Sequence, residues 1–177
     1  MLRHKGTREL KTPRLTLRRF TVEDAEAMYN NWASDPEVTR YVTWSPHESA
    51  EATRQLLTVW TEAYENDDRY HWVITKDGEP IGDVCLAKIS ESNYSAELGY
   101  CLSRRFWGQG IMTEAVARVV KELRDIGFHR LEIRNLTVNP ASGRVAEKNG
   151  FSFEGVSREA LCKDGRFYDI AHWGLLL

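Results

Sequence analysis

The sequence has few of the features that would tie it to a metal, a disulfide framework or a nucleic acid. Its 177 residues include three cysteines, with no CxxC spacing: Cys85, Cys101 and Cys162. This odd, scattered set argues against structural zinc and disulfides, and it predicts a reducing, cytoplasmic setting. The histidines lack metal-ligand spacing, and the net charge of −2 gives no basic excess. We therefore expect no metal cofactor and no nucleic-acid partner.

Long apolar runs are missing as well. No stretch approaches the roughly 20 apolar residues of a membrane-spanning helix, which argues against a membrane partner. Residues 1–14 are basic but lack the apolar core of a signal peptide. No repeat, linker or low-complexity segment divides the chain. Its length suits one domain, and we expect a single domain over residues 1–177.

Hydrophobic periodicity divides the chain into strands and helices. The strand patterns cover Leu15–Phe20, Tyr70–Thr75, Pro80–Lys88, Ser95–Leu102, Leu131–Val138, Phe151–Leu161 and Phe167–Leu176. The helical patterns cover residues 21–33, residues 47–65, Met112–Ile126 and Pro140–Asn149. The resulting order, β-α-α-β-β-β-α-β-α-β-β, predicts a mixed α/β sheet with one long parallel crossover.

A glycine-rich turn is the most informative feature. Gly108 and Gly110 lie between the strand that ends at Leu102 and the helix that begins at Met112. The first N–H groups of a helix lack partners and lie at its positive end, and glycine has no Cβ to block a phosphate. The turn therefore predicts a pyrophosphate site. It is not a Walker loop, because no Lys-Ser or Lys-Thr follows, nor a dinucleotide fingerprint, because Thr113 replaces the third glycine.

Residues Arg105–Gly110 fit the pattern Arg/Gln-x-x-Gly-x-Gly/Ala, and the chain resembles the GCN5-related N-acetyltransferases (GNAT), which carry it. Further motifs occur in the expected order: Thr12–Arg18, Glu97–Tyr100, Asn139–Val145 and Glu147–Phe151. With them, nearly the whole chain is similar to the bacterial RimJ/RimL branch, which acetylates the N-terminal amine of ribosomal proteins. The resemblance implies the GNAT fold, with a mostly antiparallel sheet that splays between the fourth and fifth predicted strands.

Acetyl-coenzyme A is the co-substrate of this family, and the resemblance implies roles for the residues that match its motifs. The pyrophosphate should lie against the backbone amides of Gly108, Gln109, Gly110, Ile111, Met112 and Thr113. Arg105 is either a phosphate contact or a solvated arginine. The pantetheine arm should bind backbone groups near Tyr100 and Leu102. Asn139 is a second pantetheine contact, the N-cap of the helix that starts at Pro140, or both.

Glu97 is the candidate general base, because an amine is protonated at neutral pH and must lose a proton before it attacks. The alternatives are a carboxylate that only orients the substrate, or a surface glutamate. Many family members carry a tyrosine near position 146 that protonates the leaving thiolate, but this chain has Ala146. Ser142 is either the replacement acid or a coenzyme contact, and a thiolate is a tolerable leaving group without an acid. Cys101 has no histidine in its motif, which disfavours an acetyl-cysteine intermediate.

The acceptor is the least determined part of the site. Tyr41 and Trp44 lie between the first two helices, in elements that overlie the acceptor cleft in this fold, and we predict that they line the amine site. The resemblance favours a protein N-terminus, and a polyamine, an amino acid or an aminoglycoside is the alternative. A non-catalytic module that binds coenzyme A is a second class of function. The oligomeric state, including a homodimer, stays open.

Overall fold

A computed structural model covering residues 1–177 contains one eight-stranded sheet in the order β1-β2-β3-β4-β5-β6-β8-β7. The strands are β1 Leu10–Lys11, β2 Thr16–Arg18, β3 His71–Lys76, β4 Glu79–Ser90, β5 Ser95–Leu102, β6 Arg130–Leu136, β7 Ser152–Lys163 and β8 Arg166–Leu176. Neighbouring strands are antiparallel except β5 and β6, which run parallel. The predicted mixed, mostly antiparallel sheet is therefore confirmed.

Five α-helices connect the strands: α1 Ala25–Met28, α2 Pro36–Thr39, α3 Ala50–Glu62, α4 Ile111–Ile126 and α5 Pro140–Lys148. A wider π turn at Tyr29–Ala33 continues α1, so the predicted helix over residues 21–33 is a composite of short helical turns. The helix predicted over residues 47–65 is α3 with a final 3₁₀ turn. No helix combines the length and the apolar character that a bilayer crossing requires.

The first part of the chain differs from the prediction in two ways. The expected strand Leu15–Phe20 shortens to β2, and a further strand, β1, pairs with it. Alternation cannot be read from the two residues of β1. A short helix that was not predicted, α2, begins at Pro36, because proline suits the first helical position and the Asp35 carboxylate accepts the N–H of Glu37 at 2.9 Å.

Each face of the sheet has its own apolar core. A cluster of 26 buried residues lies on the face covered by α4 and α5, and a cluster of 10 lies on the face covered by α1 and α3. On β5, Leu98 belongs to the first cluster and Cys101 to the second. Side chains alternate along a strand, so Tyr100 shares the α4 face with Leu98, and Glu97 shares the α3 face with Cys101.

β5 and β6 pair over only part of their length. The register joins Ser95–Leu98 to Arg130–Ile133. Beyond these residues β5 continues to Leu102 and β6 to Leu136 with no pairing between them. The two strands therefore separate on the side where β5 leads towards α4, as the resemblance implied. The separated edges leave backbone N–H and C=O groups for a ligand.

Candidate active site

The glycine turn, Gly108–Gly110, lies directly before α4, as the sequence predicted. Gly108 and Gly110 both have φ of +74°, a left-handed conformation that strains any residue with a Cβ. A Cβ at Gly108 would meet nothing within 4 Å, so the space beside the turn is open. The first helical hydrogen bond runs from Glu114 N–H to the Gly110 carbonyl at 3.0 Å. The N–H groups of residues 111–113 precede it and have no intrahelical acceptor.

Glu114 fastens the N-terminal segment to this turn. Its carboxylate accepts hydrogen bonds from the Thr12 hydroxyl at 2.5 Å, from Arg14 N–H at 3.1 Å and from Arg14 Nε at 2.6 Å. Arg14 also donates to the Gln109 carbonyl at 3.1 Å. Burial disfavours the charged carboxylate, but these hydrogen bonds outweigh it and hold the pKa of Glu114 below its usual value. The Thr12–Arg18 motif thus supports the turn, a role that sequence reasoning missed.

The Arg105 side chain already has hydrogen-bond and ion-pair partners within the protein. Its guanidinium donates to Asn31 Oδ1 at 3.2 Å and forms an ion pair with Glu79. Its backbone carbonyl accepts a hydrogen bond from Gln109 Nε2 at 2.8 Å, which ties it to the glycine turn. A phosphate contact by Arg105 stays a prediction, and such a phosphate would compete with the Glu79 carboxylate.

Tyr100 and Ser142 form a hydroxyl pair that links β5 to α5 on the α4 face. The Tyr100 hydroxyl lies 2.9 Å from Ser142 Oγ and donates to the Ser142 carbonyl at 3.2 Å. Burial raises the pKa of Tyr100 to about 12, so the phenol keeps its proton at neutral pH. Ala146, at the position where the family resemblance implied a tyrosine, is fully buried in the core of this face. The phenol beside Ser142 therefore comes from β5, which sequence reasoning missed.

Leu102 is the last residue of β5 and Asn139 directly precedes α5, so the two residues flank the separated strands. The Leu102 carbonyl accepts the Trp107 indole N–H at 2.8 Å. Asn139 is the N-cap residue of α5, as predicted, but its side chain makes no capping hydrogen bond. The backbone of Asn139 is held instead, by its N–H to the Leu136 carbonyl at 2.8 Å and by Asn135 Nδ2 to its carbonyl at 3.1 Å. The pantetheine contacts of these residues stay predictions.

Glu97 lies on the paired part of β5, on the face opposite the hydroxyl pair. Its Oε1 is 2.9 Å from Arg134 Nε, and its side chain is 16% exposed. Glu132 stands directly across the β5–β6 pairing and binds Arg130 at 2.8 Å. A carboxylate on one face and two hydroxyls on the other therefore flank the region where the strands separate. The arginine partner of Glu97 was not predicted.

Tyr41 and Trp44 lie in the 40–46 loop between α2 and α3, and both are half-buried. Trp44 packs against the core of the α3 face, and its ring centroid is 5.3 Å from that of His47. The Arg40 guanidinium stands over the Tyr41 ring at 5.5 Å. Trp44 is therefore on the same side of the sheet as Glu97, and the predicted contact with an acceptor amine stays a prediction.

One buried group of metal-binding residue types lies on β3 and β4. Potential ligand atoms of His71, Asp83 and Cys85 lie within 4.8 Å of one another. The imidazole is already held, by Asp83 at 2.9 Å and by Arg69 at 3.3 Å. Burial raises the pKa of Cys85 to about 12, and a protonated thiol is a poor ligand. Burial also raises the pKa of Cys101, which makes that thiol a weak nucleophile. Both ring nitrogens of His71 are thus engaged by protein side chains.

Known proteins are similar to this chain in both sequence and fold. Residues 14–152 match the family model for the acetyltransferase (GNAT) domain. An uncharacterized N-acetyltransferase of Bacillus licheniformis, p20, is 32% identical over 94% of this chain and 95% of its own. The ribosomal-protein-serine acetyltransferase of Escherichia coli (strain K12) is 29% identical over 70% of this chain and 69% of its own. A structure of the ribosomal α-N-protein acetyltransferase RimL in complex with coenzyme A aligns with a TM-score of 0.88 at 23% identity, covering 96% of this chain and 98% of that one.

Proposed function

The chain belongs to the acetyltransferase (GNAT) domain family and is an N-acetyltransferase, and from this premise we propose that it moves an acetyl group from acetyl-coenzyme A directly to the N-terminal amine of a ribosomal protein. The reaction takes place in a ternary complex in the cytoplasm. One observation carries the proposal. Strands β5 and β6 separate beside a glycine turn with unpartnered amides, and a carboxylate and a hydroxyl pair flank the separation from opposite faces.

The glycine turn and the separated strands would bind the coenzyme. The amides of residues 108–113 suit a pyrophosphate, because they are unpartnered at the positive end of α4 and the open space beside Gly108 admits the phosphates. Pantetheine is a chain of amides, so it would pair with backbone of Tyr100 and Leu102 like an added strand. The side chain of Asn139, which caps no helix, would donate to it from the other side.

Glu97 would accept the proton of the attacking amine. The amine arrives as a cation and gains its nucleophilic lone pair only after a proton leaves. Arg134 contacts Oε1 of Glu97, so Oε2 is the oxygen that would receive this proton. The amine then approaches from the α3 face, where Glu97 and Trp44 both lie, while the coenzyme occupies the separation between the strands.

The hydroxyl pair would stabilise the departing sulfur. Tyr100 holds its proton, since its pKa is about 12, and Ser142 is a still weaker acid. The two hydroxyls therefore donate hydrogen bonds to the thiolate more readily than they donate a proton. A thiolate leaves without full protonation at modest cost. We infer that Ser142 contacts the coenzyme and that Tyr100 orients the Ser142 hydroxyl through their 2.9 Å contact.

The proposed identity of the acceptor rests on the similarity to known relatives and not on the geometry alone. Similarity to the ribosomal-protein-serine acetyltransferase favours a protein N-terminus. One observation favours the alternative, a small amine: the α3 face around Glu97 is not uniformly acidic, because Arg130 and Arg134 neutralise the carboxylates beside it. The half-buried rings of Tyr41 and Trp44 suit a compact amine as well.

Thiol release from acetyl-coenzyme A, combined with mass spectrometry of the acceptor, tests the proposal. The screen should contain peptides that copy ribosomal-protein N-termini, the same peptides with a blocked N-terminus, and a set of small amines. We expect thiol release and one added acetyl group on free N-termini, and neither on blocked ones. Acetylation of small amines alone would assign the alternative acceptor. Coenzyme binding without any thiol release would contradict catalysis.

A further inference from the structure

A bulge redirects the hairpin formed by β7 and β8. Ser157 pairs with Ile170 and Leu161 with Tyr168, so residues 158–160 stand opposite a single residue, Asp169. Within the bulge Glu159 has a φ of +51°, which is uncommon for a residue with a side chain. Its N–H donates to the Asp169 carboxylate at 2.8 Å, which holds this conformation. A bulge bends the strand that contains it, so the hairpin tip beyond residue 161 changes direction.

The redirected tip reaches the 40–46 loop through one side chain. Lys163 Nζ lies 2.5 Å from the Thr39 carbonyl, 2.6 Å from the Val42 carbonyl and 3.3 Å from the Trp44 carbonyl. An ammonium has three N–H donors, so these contacts use all of them. The residues joined are more than a hundred positions apart in the chain. We call this arrangement the Lys163 clamp.

The clamp acts on a segment that regular structure does not hold. Between α2 and α3 the backbone of the 40–46 loop belongs to neither a helix nor a strand, so no ladder fixes its carbonyls. Segments of this kind open readily unless tertiary contacts hold them. The same segment carries Tyr41 and Trp44, the two side chains predicted to line the amine site. The Lys163 side chain thus restrains both rings through the backbone that bears them.

We propose that Lys163 is a positioning residue for the amine acceptor. The clamp joins the hairpin tip and the 40–46 loop into one wall of the acceptor cleft. It thereby fixes the positions of the Tyr41 and Trp44 side chains. This inference rests on the proposed function, since it needs an amine that binds on the α3 face. None of the clamp contacts involves the glycine turn or the hydroxyl pair. Loss of the clamp should therefore weaken acceptor binding and leave coenzyme binding unchanged.

Three variants test the clamp. Lys163→Met keeps an unbranched side chain and removes the donors, Lys163→Arg keeps charge and donors, and Lys121→Met removes an exposed lysine of α4 as the matched control. Amide hydrogen exchange of residues 40–45 should become about tenfold faster in Lys163→Met, stay near wild type in Lys121→Met, and be intermediate in Lys163→Arg. The probe for kinetics is a decapeptide with a free N-terminal serine. Its KM should rise about tenfold in Lys163→Met, with kcat and coenzyme A affinity within about twofold of wild type.

Each other outcome has a defined meaning. Unchanged exchange of residues 40–45 in Lys163→Met would show that the clamp does not hold the loop. Faster exchange with an unchanged KM would show that the loop is no part of the acceptor cleft, and a loss confined to kcat would place Lys163 in the chemistry. Each of these results overturns the proposal. Failure of the proposed function is distinct, because wild-type protein would then release no thiol with any peptide, while exchange still decides whether the clamp exists.

Discussion

The proposed coenzyme side and the proposed acceptor side of this molecule are built by different means. On the coenzyme side, the site consists mainly of backbone groups: two left-handed glycines, the free amides at the start of α4 and the separated edges of β5 and β6. On the acceptor side, the site depends on contacts made by side chains: Glu97 is held by Arg134, and the 40–46 loop is held by Lys163.

This difference matches the chemistry of the two proposed ligands. A pyrophosphate and a pantetheine arm present the same groups in every acetyl-coenzyme A enzyme, so a fixed backbone can bind them. Acceptor amines differ, and side chains change without disturbing the sheet. We expect changes on the acceptor side to alter turnover or acceptor binding, and changes on the coenzyme side to alter coenzyme affinity.

The largest effect should come from Glu97→Gln. The amide keeps the shape of the side chain but cannot take the proton of the amine, so kcat should fall by about 10²–10⁴-fold. Coenzyme affinity should stay near wild type, and part of the rate should return at high pH, where the free amine dominates. The readout is a pH profile of kcat together with calorimetry of coenzyme binding.

Glu132→Gln is the matched control for Glu97→Gln. Glu132 faces Glu97 across the paired part of β5 and β6 and is also bound to an arginine, but it lies on β6. Its variant should keep wild-type turnover. Equal losses in both variants would mean that the charge of this face, and not a proton acceptor at position 97, supports the reaction.

Gly110→Asp should have the opposite effect to Glu97→Gln, because it should weaken coenzyme binding. The new residue must adopt a φ of +74° and places a carboxylate beside the predicted pyrophosphate. We expect acetyl-coenzyme A to bind at least about tenfold more weakly, which corresponds to about 1.4 kcal/mol. Gly78→Asp, at an exposed hairpin turn with a φ of +83° and open space around it, is the control for backbone strain alone. Equal coenzyme affinity in Gly110→Asp and wild type, measured by calorimetry, would remove the glycine turn from the site.

A smaller effect is expected from the hydroxyl pair. Ser142→Ala should lower kcat by less than about tenfold and weaken coenzyme binding, because the thiolate needs hydrogen bonds more than a proton. Tyr100→Phe should give a similar, smaller change, and the double variant should lose less than the sum of the two, as coupled partners do. A hundredfold loss in Ser142→Ala at saturating coenzyme would instead identify Ser142 as the general acid.

The smallest effect is expected from a change at Glu114, which supports the glycine turn. The pKa of Glu114 is lowered in the folded protein by Thr12 and Arg14 despite burial, so its stabilisation is present at neutral pH and is lost as the pH falls through that lowered pKa. Glu114→Gln should lower the melting temperature by roughly 2–4 °C at neutral pH, the shift expected for about 1 kcal/mol in a domain of this size. The difference from wild type should shrink in acid. A constant difference at every pH would show that packing, not charge, accounts for it.

The sequence predicted the parts of the site that depend on local backbone. Gly108 and Gly110 mark a turn before a helix by themselves, and the alternation of Ser95–Leu102 indicates a strand without knowledge of its neighbours. Contacts between distant residues left no comparable signal. Arg14 binds Glu114 from 100 positions away, and Tyr100 meets Ser142 from 42 positions away. Nothing in the pattern around Lys163 indicates that a bulge at Glu159 turns it towards residues 39–44.

Asn139 stands at the predicted N-cap position of α5, but its side chain makes no capping hydrogen bond. Asparagine before a proline at the first helical position is a common start of a helix. Here Asn135 and Leu136 hold the backbone of Asn139 and leave its side chain out of the cap. Sequence motifs therefore supplied the candidate residues, and the contacts between distant residues came only from the structure.

The most direct test of the central claim is a titration of the protein with acetyl-coenzyme A, followed by backbone amide chemical shifts. The amides of residues 108–113 should show the largest shifts and slower exchange on saturation, because they are expected to donate to the pyrophosphate. The amides of the 40–46 loop should move little until an amine acceptor is added. Binding that leaves residues 108–113 unchanged would contradict the assignment of the glycine turn as the coenzyme site.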